Sequence, residues 1–398
     1  MVPRPSPDRG ASRAGPSRRG RRGIGGGLRG PPRRLPRRAP RRGHLDRNGS
    51  EGACRSRRCH HGAEFPPATR RRAVVRARNP VSPGGPALRS RSGRSIAAVI
   101  PTYQRAATIR RAVDSALAQQ PSPQVIVVDD GSTDDTPAVL ATYGDRIEVI
   151  RTANRGVSAA RNTGADASDA DWIAFLDSDD YWTPDHLARI TAAIEATDGV
   201  ADLYFDDTRR TASEGHASLF ALSGLHLPAP HQLLPDGTPW VLAPRQPMMM
   251  QSSVIARDAY ERVGGNWTAL THREDTHLFC RLGIRRPLCA VSGVGCVMTD
   301  DDKSGLRQTE HHNARTPVYL ACTAALYDDV LRRHRHELGR AERRLLARRV
   351  ARARLGLARA TGSGHPVTAL GHAVAAARRH PPTVARSVLH RLPAGPSS

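Results

Sequence analysis

Three of the carboxylate clusters in this 398-residue chain stand out, and two of them close apolar runs. The run 125–128 (Val-Ile-Val-Val) ends at Asp129 and Asp130, followed by Gly131 and Ser132. The run 172–176 (Trp-Ile-Ala-Phe-Leu) ends at Asp177, Ser178, Asp179 and Asp180. A third pair, Glu274 and Asp275, stands well downstream. Short apolar runs of this kind read as buried strands, whose alternation sends Asp177 and Asp179 to one side and Ser178 to the other. Four or five carboxylates gathered at one sheet end repel one another, and a divalent cation among them relieves the repulsion. A hard ion held by few protein oxygens keeps positions open for phosphate oxygens and water, so the chemistry indicated is binding of a nucleoside diphosphate. A calcium loop counted from Asp177 would need Gly at its sixth place and Glu at its twelfth. Trp182 and Ala188 stand there, which excludes it. No Gly-x-x-x-x-Gly-Lys loop is present and no Gly-x-Gly-x-x-Gly follows a strand, so a nucleotide must be held another way. Taken singly, Asp-Asp-Gly-Ser is also an ordinary turn, and Glu274-Asp275 ahead of Leu278 is also an ordinary helix start.

The elements that must position these residues follow from periodicity. Strands are predicted at 96–100, 125–128, 147–150, 172–176 and 203–205. Helices are predicted at 106–119, with Ile109, Val113, Ala116 and Leu117 on one face, at 135–143, at 156–167, and from Pro184, with Leu187, Ile190 and Ile194 facing inward. Strands alternating with helices predict a parallel α/β sheet, and nearly all-apolar strands predict helices on both faces. Ligands bind such sheets outside the carboxyl ends of the strands, where the acid clusters fall. The stretch to about 247 is rich in Pro, His and Gly and reads as a long loop or subdomain. The run 288–298 reads as a core strand, and helical patterning dominates from 316.

Charge divides the chain into three. Residues 1–95 hold 26 Arg against four acids, and 331–398 hold 15 Arg against two. The whole chain is +24, so the intervening body carries −11. The head, dominated by Arg, Gly and Pro, cannot bury enough apolar surface to order itself and is predicted to be disordered. Arginines without interleaved aromatics attract phosphate but stack poorly on bases, and an acidic body repels it, so no specific nucleic-acid partner is expected. No run of about 18 apolar residues predicts a membrane span, and no secretory signal is visible. The six cysteines form no tight pattern. Cys54 and Cys59, followed by His60 and His61, lack a second zinc-ligand pair, and free thiols in a reducing, cytoplasmic setting are expected.

Four motifs, in order and spacing, resemble family-2 glycosyltransferases. They are Val99-Ile-Pro-Thr-Tyr-Gln-Arg105, Val127-Val-Asp-Asp-Gly-Ser-Thr-Asp134, Asn154-Arg-Gly-Val-Ser-Ala-Ala-Arg-Asn162 and Ala174-Phe-Leu-Asp-Ser-Asp-Asp180. Glu274-Asp275, after a Gly-Gly-Asn-Trp turn, looks like the family's later acid pair. The resemblance covers about 96–300 and implies a GT-A type, Rossmann-like fold: a mostly parallel sheet flanked by helices. That body (96–315, nucleotide half about 96–207, acceptor half about 208–315) would follow a disordered head (1–95) and precede a basic helical extension (316–398). The resemblance implies that Pro101, Thr102 and Tyr103 line the nucleotide base and ribose. Asp130 would accept a hydrogen bond from the base, and Arg161 would stand near the nucleotide. Asp177-Ser178-Asp179 matches the Asp-x-Asp motif, with Asp179 and Asp177 holding Mg2+ or Mn2+ on the diphosphate. Asp275, paired with Glu274, matches the general base of inverting members.

The activity so implied is inverting, metal-dependent transfer of a sugar from a nucleotide-diphosphate sugar to an acceptor hydroxyl, in cell-surface polysaccharide, glycolipid or glycoconjugate synthesis. A UDP-sugar is favoured as donor, and the acceptor is unread. Gln104 stands where Asn is usual. No Gln-x-x-Arg-Trp motif appears near the acid pair, which points to single additions rather than processive synthesis. Asp300-Asp-Asp-Lys303 and His311-His312 lie where some members close over the nucleotide. The basic C-terminal helices suggest peripheral contact with the inner face of the membrane. Two other classes stay open at this point: a non-catalytic nucleotide-sugar-binding protein on the same fold, and a polyanion-binding protein acting through its basic head.

Overall fold

The computed structural model describes residues 94–211, 218–299, 316–362 and 364–389. Residues 1–93 of the basic head, with the Cys54–Cys59 pair, and Asp300-Asp-Asp-Lys303 and His311-His312 lie outside the described residues. The first half runs β1 (Ile96–Thr102), α1 (Ile109–Leu117), β2 (Gln124–Asp129), α2 (Thr136–Ala141), β3 (Glu148–Arg151), α3 (Val157–Asp166) and β4 (Trp172–Phe175). Then come β5 (Tyr181–Trp182), α4 (His186–Ala196), β6 (Leu203–Arg210), α5 (Leu219–Ser223), β7 (His231–Leu234) and α6 (Thr238–Val241). The body ends with β8 (Ser253–Ala256), α7 (Arg257–Val263), α8 (Glu274–Gly283) and β9 (Leu288–Met298). Four helices follow: α9 (Pro317–Arg333), α10 (Arg340–Thr361), α11 (Pro366–Arg379) and α12 (Pro381–Leu389).

The described strands form one sheet in the order β3-β2-β1-β4-β8-β6-β9-β5, with β7 also paired to β9. Strands β3, β2, β1 and β4 are parallel. All seven residues of β1 are buried, which is the burial expected of a strand covered on both faces. The chain runs outward from β1 to β3, then returns to place β4 on the other side of β1. Strand order reverses there, and a crevice opens beyond the carboxyl ends of β1 and β4. Past β4 the sheet is mixed. Strand β8 runs antiparallel between β4 and β6, and β9 runs parallel to β6. These directions matter for the site: the reversed β8 starts at the crevice edge, bringing 249–251 there, while β9 ends at it with Met298 and Thr299.

Helix α3 lies unusually close to the sheet. A Cβ built at Gly164 would stand 2.4 Å from Val99 Cγ1 and 3.1 Å from Val128 Cγ2. The absent side chain lets the helix sink onto β1 and β2, which sets how far Arg161, one turn earlier on the same face, reaches toward the end of β4. On the far side, α9 is fastened to α8 by His277 Nε2 and Asp329 Oδ2, 2.9 Å apart and both buried. Burial pushes His277 down to about 4, so the ring is neutral near pH 7 and the link is a hydrogen bond to a carboxylate that Arg333 also contacts. Arg349 of α10 donates to the Tyr327 hydroxyl and to the Leu242 carbonyl, holding α9 and α10 on the body.

Gly164→Val should destabilise the fold by at least ~2 kcal/mol, because overpacking a closed helix–sheet contact forces backbone movement. A urea midpoint equal to that of the wild type would contradict this packing.

Candidate active site

The ten residues singled out from the sequence, Pro101, Thr102, Tyr103, Asp130, Arg161, Asp177, Ser178, Asp179, Glu274 and Asp275, line a single cleft of about 330 Å3. That volume is within the range of small-molecule sites. Tyr103 stands at the rim and is 38% exposed. Thr102 is buried, and its Oγ1 has no hydrogen-bond partner among the described residues.

The floor is made by two loops zipped together. Gln104 has φ 55°, a left-handed conformation that ordinarily disfavours a long side chain. Its amide explains its presence: Oε1 accepts from the backbone N–H groups of Thr133 and Asp134, and Nε2 donates to the Thr133 hydroxyl. Its own N–H donates to Ser132 Oγ. The loop after β1 is thereby locked to the loop after β2. Asp129 turns inward and accepts from Ser132 N–H at 2.8 Å. Asp130 is buried, and its carboxylate accepts from Thr152 Oγ1 and from the N–H groups of Arg155 and Gly156. It therefore holds the loop that leads into α3.

The carboxylates expected from the sequence do converge on this cleft, and several of them are compensated by donors of the protein itself. Asp129 and Asp130 are engaged as above. Asp180 is buried, accepting from Gln251 Nε2 and the Thr299 N–H, so it latches the ends of β8 and β9 to this edge. Asp177 and Asp179 remain at the cleft. Arg105 stands 3.8 Å from the Asp179 carboxylate. Arg111 donates to the Asp179 carbonyl and to Thr299 Oγ1. Among the described residues, no three His, Cys, Asp or Glu side chains gather as a metal cage. Two carboxylates on one cleft nevertheless suit an Mg2+ or Mn2+ ion, which binds through one or two carboxylates and completes its shell with phosphate and water.

Arg161, on the face of α3 that overhangs the crevice, joins the two walls. Its Nη2 donates to Asp177 Oδ1 at 2.6 Å and its Nη1 to Glu274 Oε1 at 3.0 Å. Burial works against its charge, but Asp177 and Glu274 outweigh that and hold the guanidinium above its ordinary range. The neighbouring Asn162 fixes the same wall. Its Nδ2 donates to the Asn266 carbonyl, and its Oδ1 accepts from Asn266 N–H and the Tyr260 hydroxyl. A side chain at Gly265 would collide with that amide oxygen, at 2.6 Å from the added Cβ.

Glu274 and Asp275 open α8 but face different surroundings. Glu274 is buried against Arg161. Asp275 is half-buried at the cleft, with Oδ1 2.5 Å from Thr276 N. Neither is the helix cap. Arg273 takes that place at φ 61°, its guanidinium between the Tyr319 and Tyr327 rings, donating to Thr323 Oγ1 and Tyr327 Oη. Burial pushes Glu274 up to about 7, the Asp275 charge adds to the rise, and Arg161 opposes it. The sequence reading missed Asp180's latch, Gln251, Arg273 and its tyrosine clamp. Asp180 sat inside a quoted motif, but nothing in the sequence linked any of them to a partner at distant positions.

A carboxyl group whose folded pKa is raised keeps its proton in the folded state after the unfolded chain has lost it. Its contribution is full below the unfolded value of 4.5 and is lost as pH rises through about 7. Glu274→Gln should therefore flatten a decline in stability between about pH 5 and 7. Parallel pH–stability curves for variant and wild type would contradict the assignment.

A family model described as Glycosyl transferase family 2 matches residues 97–249. The succinoglycan biosynthesis protein ExoO of Rhizobium meliloti (strain 1021) is 41% identical over 139 residues, which is 33% of this chain and 40% of ExoO. ExoW of the same organism is 34% identical over 199 residues, covering 46% of this chain and 61% of ExoW. The matches thus span about two-fifths to three-fifths of these relatives. Among solved structures, TarS of S. aureus (residues 1–349) superposes with a TM-score of 0.51 at 16% identity, over 73% of this chain and 82% of TarS. That likeness concerns the fold, the mixed α/β sheet with flanking helices of the GT-A type. Motifs, topology and these matches agree: residues 97–249 are similar to a glycosyl transferase family 2 domain.

Proposed function

We propose that the cleft binds a nucleotide-diphosphate sugar and transfers the sugar, with inversion, to a hydroxyl of an acceptor. One observation carries this reading. Side chains from the ends of β1, β2 and β4 and from the start of α8 line one cleft, and Arg161 ties its two walls together. The buried Thr102 hydroxyl, without a partner among the described residues, supports a polar ligand at the β1 end. A solved structure of TarS in complex with UDP-GlcNAc supports a UDP-sugar as donor. The naming of ExoO and ExoW for succinoglycan biosynthesis supports a saccharide acceptor on the way to a polysaccharide or glycoconjugate. Four buried free thiols, Cys280, Cys289, Cys296 and Cys322, suit work in the cytoplasm.

In this reading Thr102 and Tyr103 flank the base and ribose, with Asp130 behind them holding the loop. Asp177 and Asp179 would hold Mg2+ or Mn2+, whose chemistry is to neutralise charge on the departing diphosphate. The acceptor oxygen bonds to the anomeric carbon as the bond from that carbon to the diphosphate oxygen breaks, and the electron pair leaves with the diphosphate. Asp275, at the cleft on the opposite wall, takes the acceptor proton. Glu274 is a positioning residue, because its carboxylate is held by Arg161.

The test is release of nucleoside diphosphate from a panel of nucleotide sugars, with Mn2+ or Mg2+ and with chelator, followed by product analysis once an acceptor is found. Asp179→Ala should abolish metal-dependent binding of the nucleoside diphosphate. Asp275→Asn should leave that binding within about twofold and lower kcat by about 10²–10⁴. Wild-type turnover in Asp275→Asn, or donor binding indifferent to chelator and to Asp179→Ala, would overturn the reading.

A further inference from the structure

We infer that α11 is a membrane-contact helix that lays an apolar row into an anionic lipid surface. Val367, Leu370 and Val374 follow one another at helical spacing and are 83%, 65% and 42% exposed. The face turned to the body is served by Ala376, which is fully buried. A helix that buries alanine and exposes aliphatics has its apolar surface directed away from the protein. Arg378 and Arg379 close the row, and both are exposed. Arg379 also pairs with Asp328.

The charge around the row selects the partner. Residues 331–398 carry +13, with only two acids. Arg344, Arg348 and Arg352 form an exposed row along α10, lining its groove with α12, and no carboxylate of the described residues pairs with them. Arg386 of α12 faces the same groove. Exposed aliphatics closed by the exposed Arg378, on an extension that carries a second, unpaired arginine row, match the interfacial region of a bilayer with anionic headgroups, where apolar insertion and charge attraction add. A second copy would bring the same arginines against these. The chain's own basic head, at +22, would be repelled likewise. Residues 331–398 contain no Phe, Trp or Tyr, so a nucleic acid would find charge but no stacking surface, and the aliphatic row would have no partner in it. No described helix is long and apolar enough to cross a membrane, so contact would be at the surface.

The experiment must separate α11 from the basic head, which also attracts anionic vesicles. It therefore uses the full chain with a local reporter, Leu370→Trp, read against the wild type to subtract the native tryptophans. With phosphatidylglycerol–phosphatidylcholine vesicles, the added tryptophan should shift to the blue and be quenched by brominated acyl chains. Pure phosphatidylcholine should give neither. Leu370→Asp combined with Val374→Asp should weaken vesicle binding by about tenfold or more at 0.5 M salt, where attraction by the head is screened. An unshifted reporter on bound protein would show that the head alone binds and would overturn the proposal. So would a blue shift produced by RNA without lipid, or by raising protein concentration alone.

Discussion

Everything at the cleft depends on one buried guanidinium. Arg161 is 4% exposed and bonds at once to Asp177, at the end of β4, and Glu274, at the start of α8. These carboxylates are 97 positions apart in the chain. Without the arginine, one partly and one fully buried carboxylate would face each other's wall uncompensated. Breaking a buried pair from one side costs about 3–5 kcal/mol. The planar fork matters as well as the charge, because two donors in fixed geometry can serve two acceptors on opposite walls. The depth at which α3 sits follows from this requirement, since a helix held off the sheet would carry Arg161 out of reach. Gly164 supplies that depth, and Asn162 repeats the fastening one residue on through the Gly-Gly-Asn-Trp turn.

The body's negative charge is handled locally. Each carboxylate of the two motif clusters is given its own counterpart: a backbone N–H for Asp129, a loop of N–H groups for Asp130, an amide and an N–H for Asp180, Arg161 for Asp177 and, at 3.8 Å, Arg105 for Asp179. This leaves the cleft with a controlled excess of acid. The same arrangement gives the two acids of α8 different surroundings. Glu274 is desolvated and tied, while Asp275 stands beside it with access to the cleft. Two carboxyl groups in adjacent positions are thereby assigned structural and chemical work by environment alone.

Much of this was legible beforehand. Apolar runs closed by aspartates located β2 and β4, but the alternation read past β4 did not hold: the strand ends at Phe175, and Ser178 lines the same cleft as Asp177 and Asp179. All ten residues named from the motifs share the cleft. What could not be read was partnership. The sequence suggested that the aspartates converge, as they do, but it did not show their partners: N–H groups of the following loops for Asp129 and Asp130, Arg161 of α3 for Asp177, and only for Asp180 donors far along the chain. Gln104 looked like a departure from the usual Asn, yet its longer amide performs the loop-locking. The antiparallel entry of β8, which delivers Gln251 to the cleft, depends on sheet order, and periodicity reports strand identity without neighbours. The same gap hid the clamp of Tyr319 and Tyr327 on Arg273, because α9 reads from sequence only as a helix with some apolar positions.

The claim that Arg161 joins both halves is tested most directly by calorimetric binding of a nucleoside diphosphate with Mn2+ to Arg161→Lys, beside turnover of the donor. Lysine keeps the positive charge but cannot present two fixed donors to Asp177 and Glu274 together. The account predicts a folded variant in which nucleotide binding and turnover both fall by at least about tenfold, since both walls lose their alignment. Wild-type binding and turnover in that variant would contradict it, and would mean that the two walls hold their positions without the bridge.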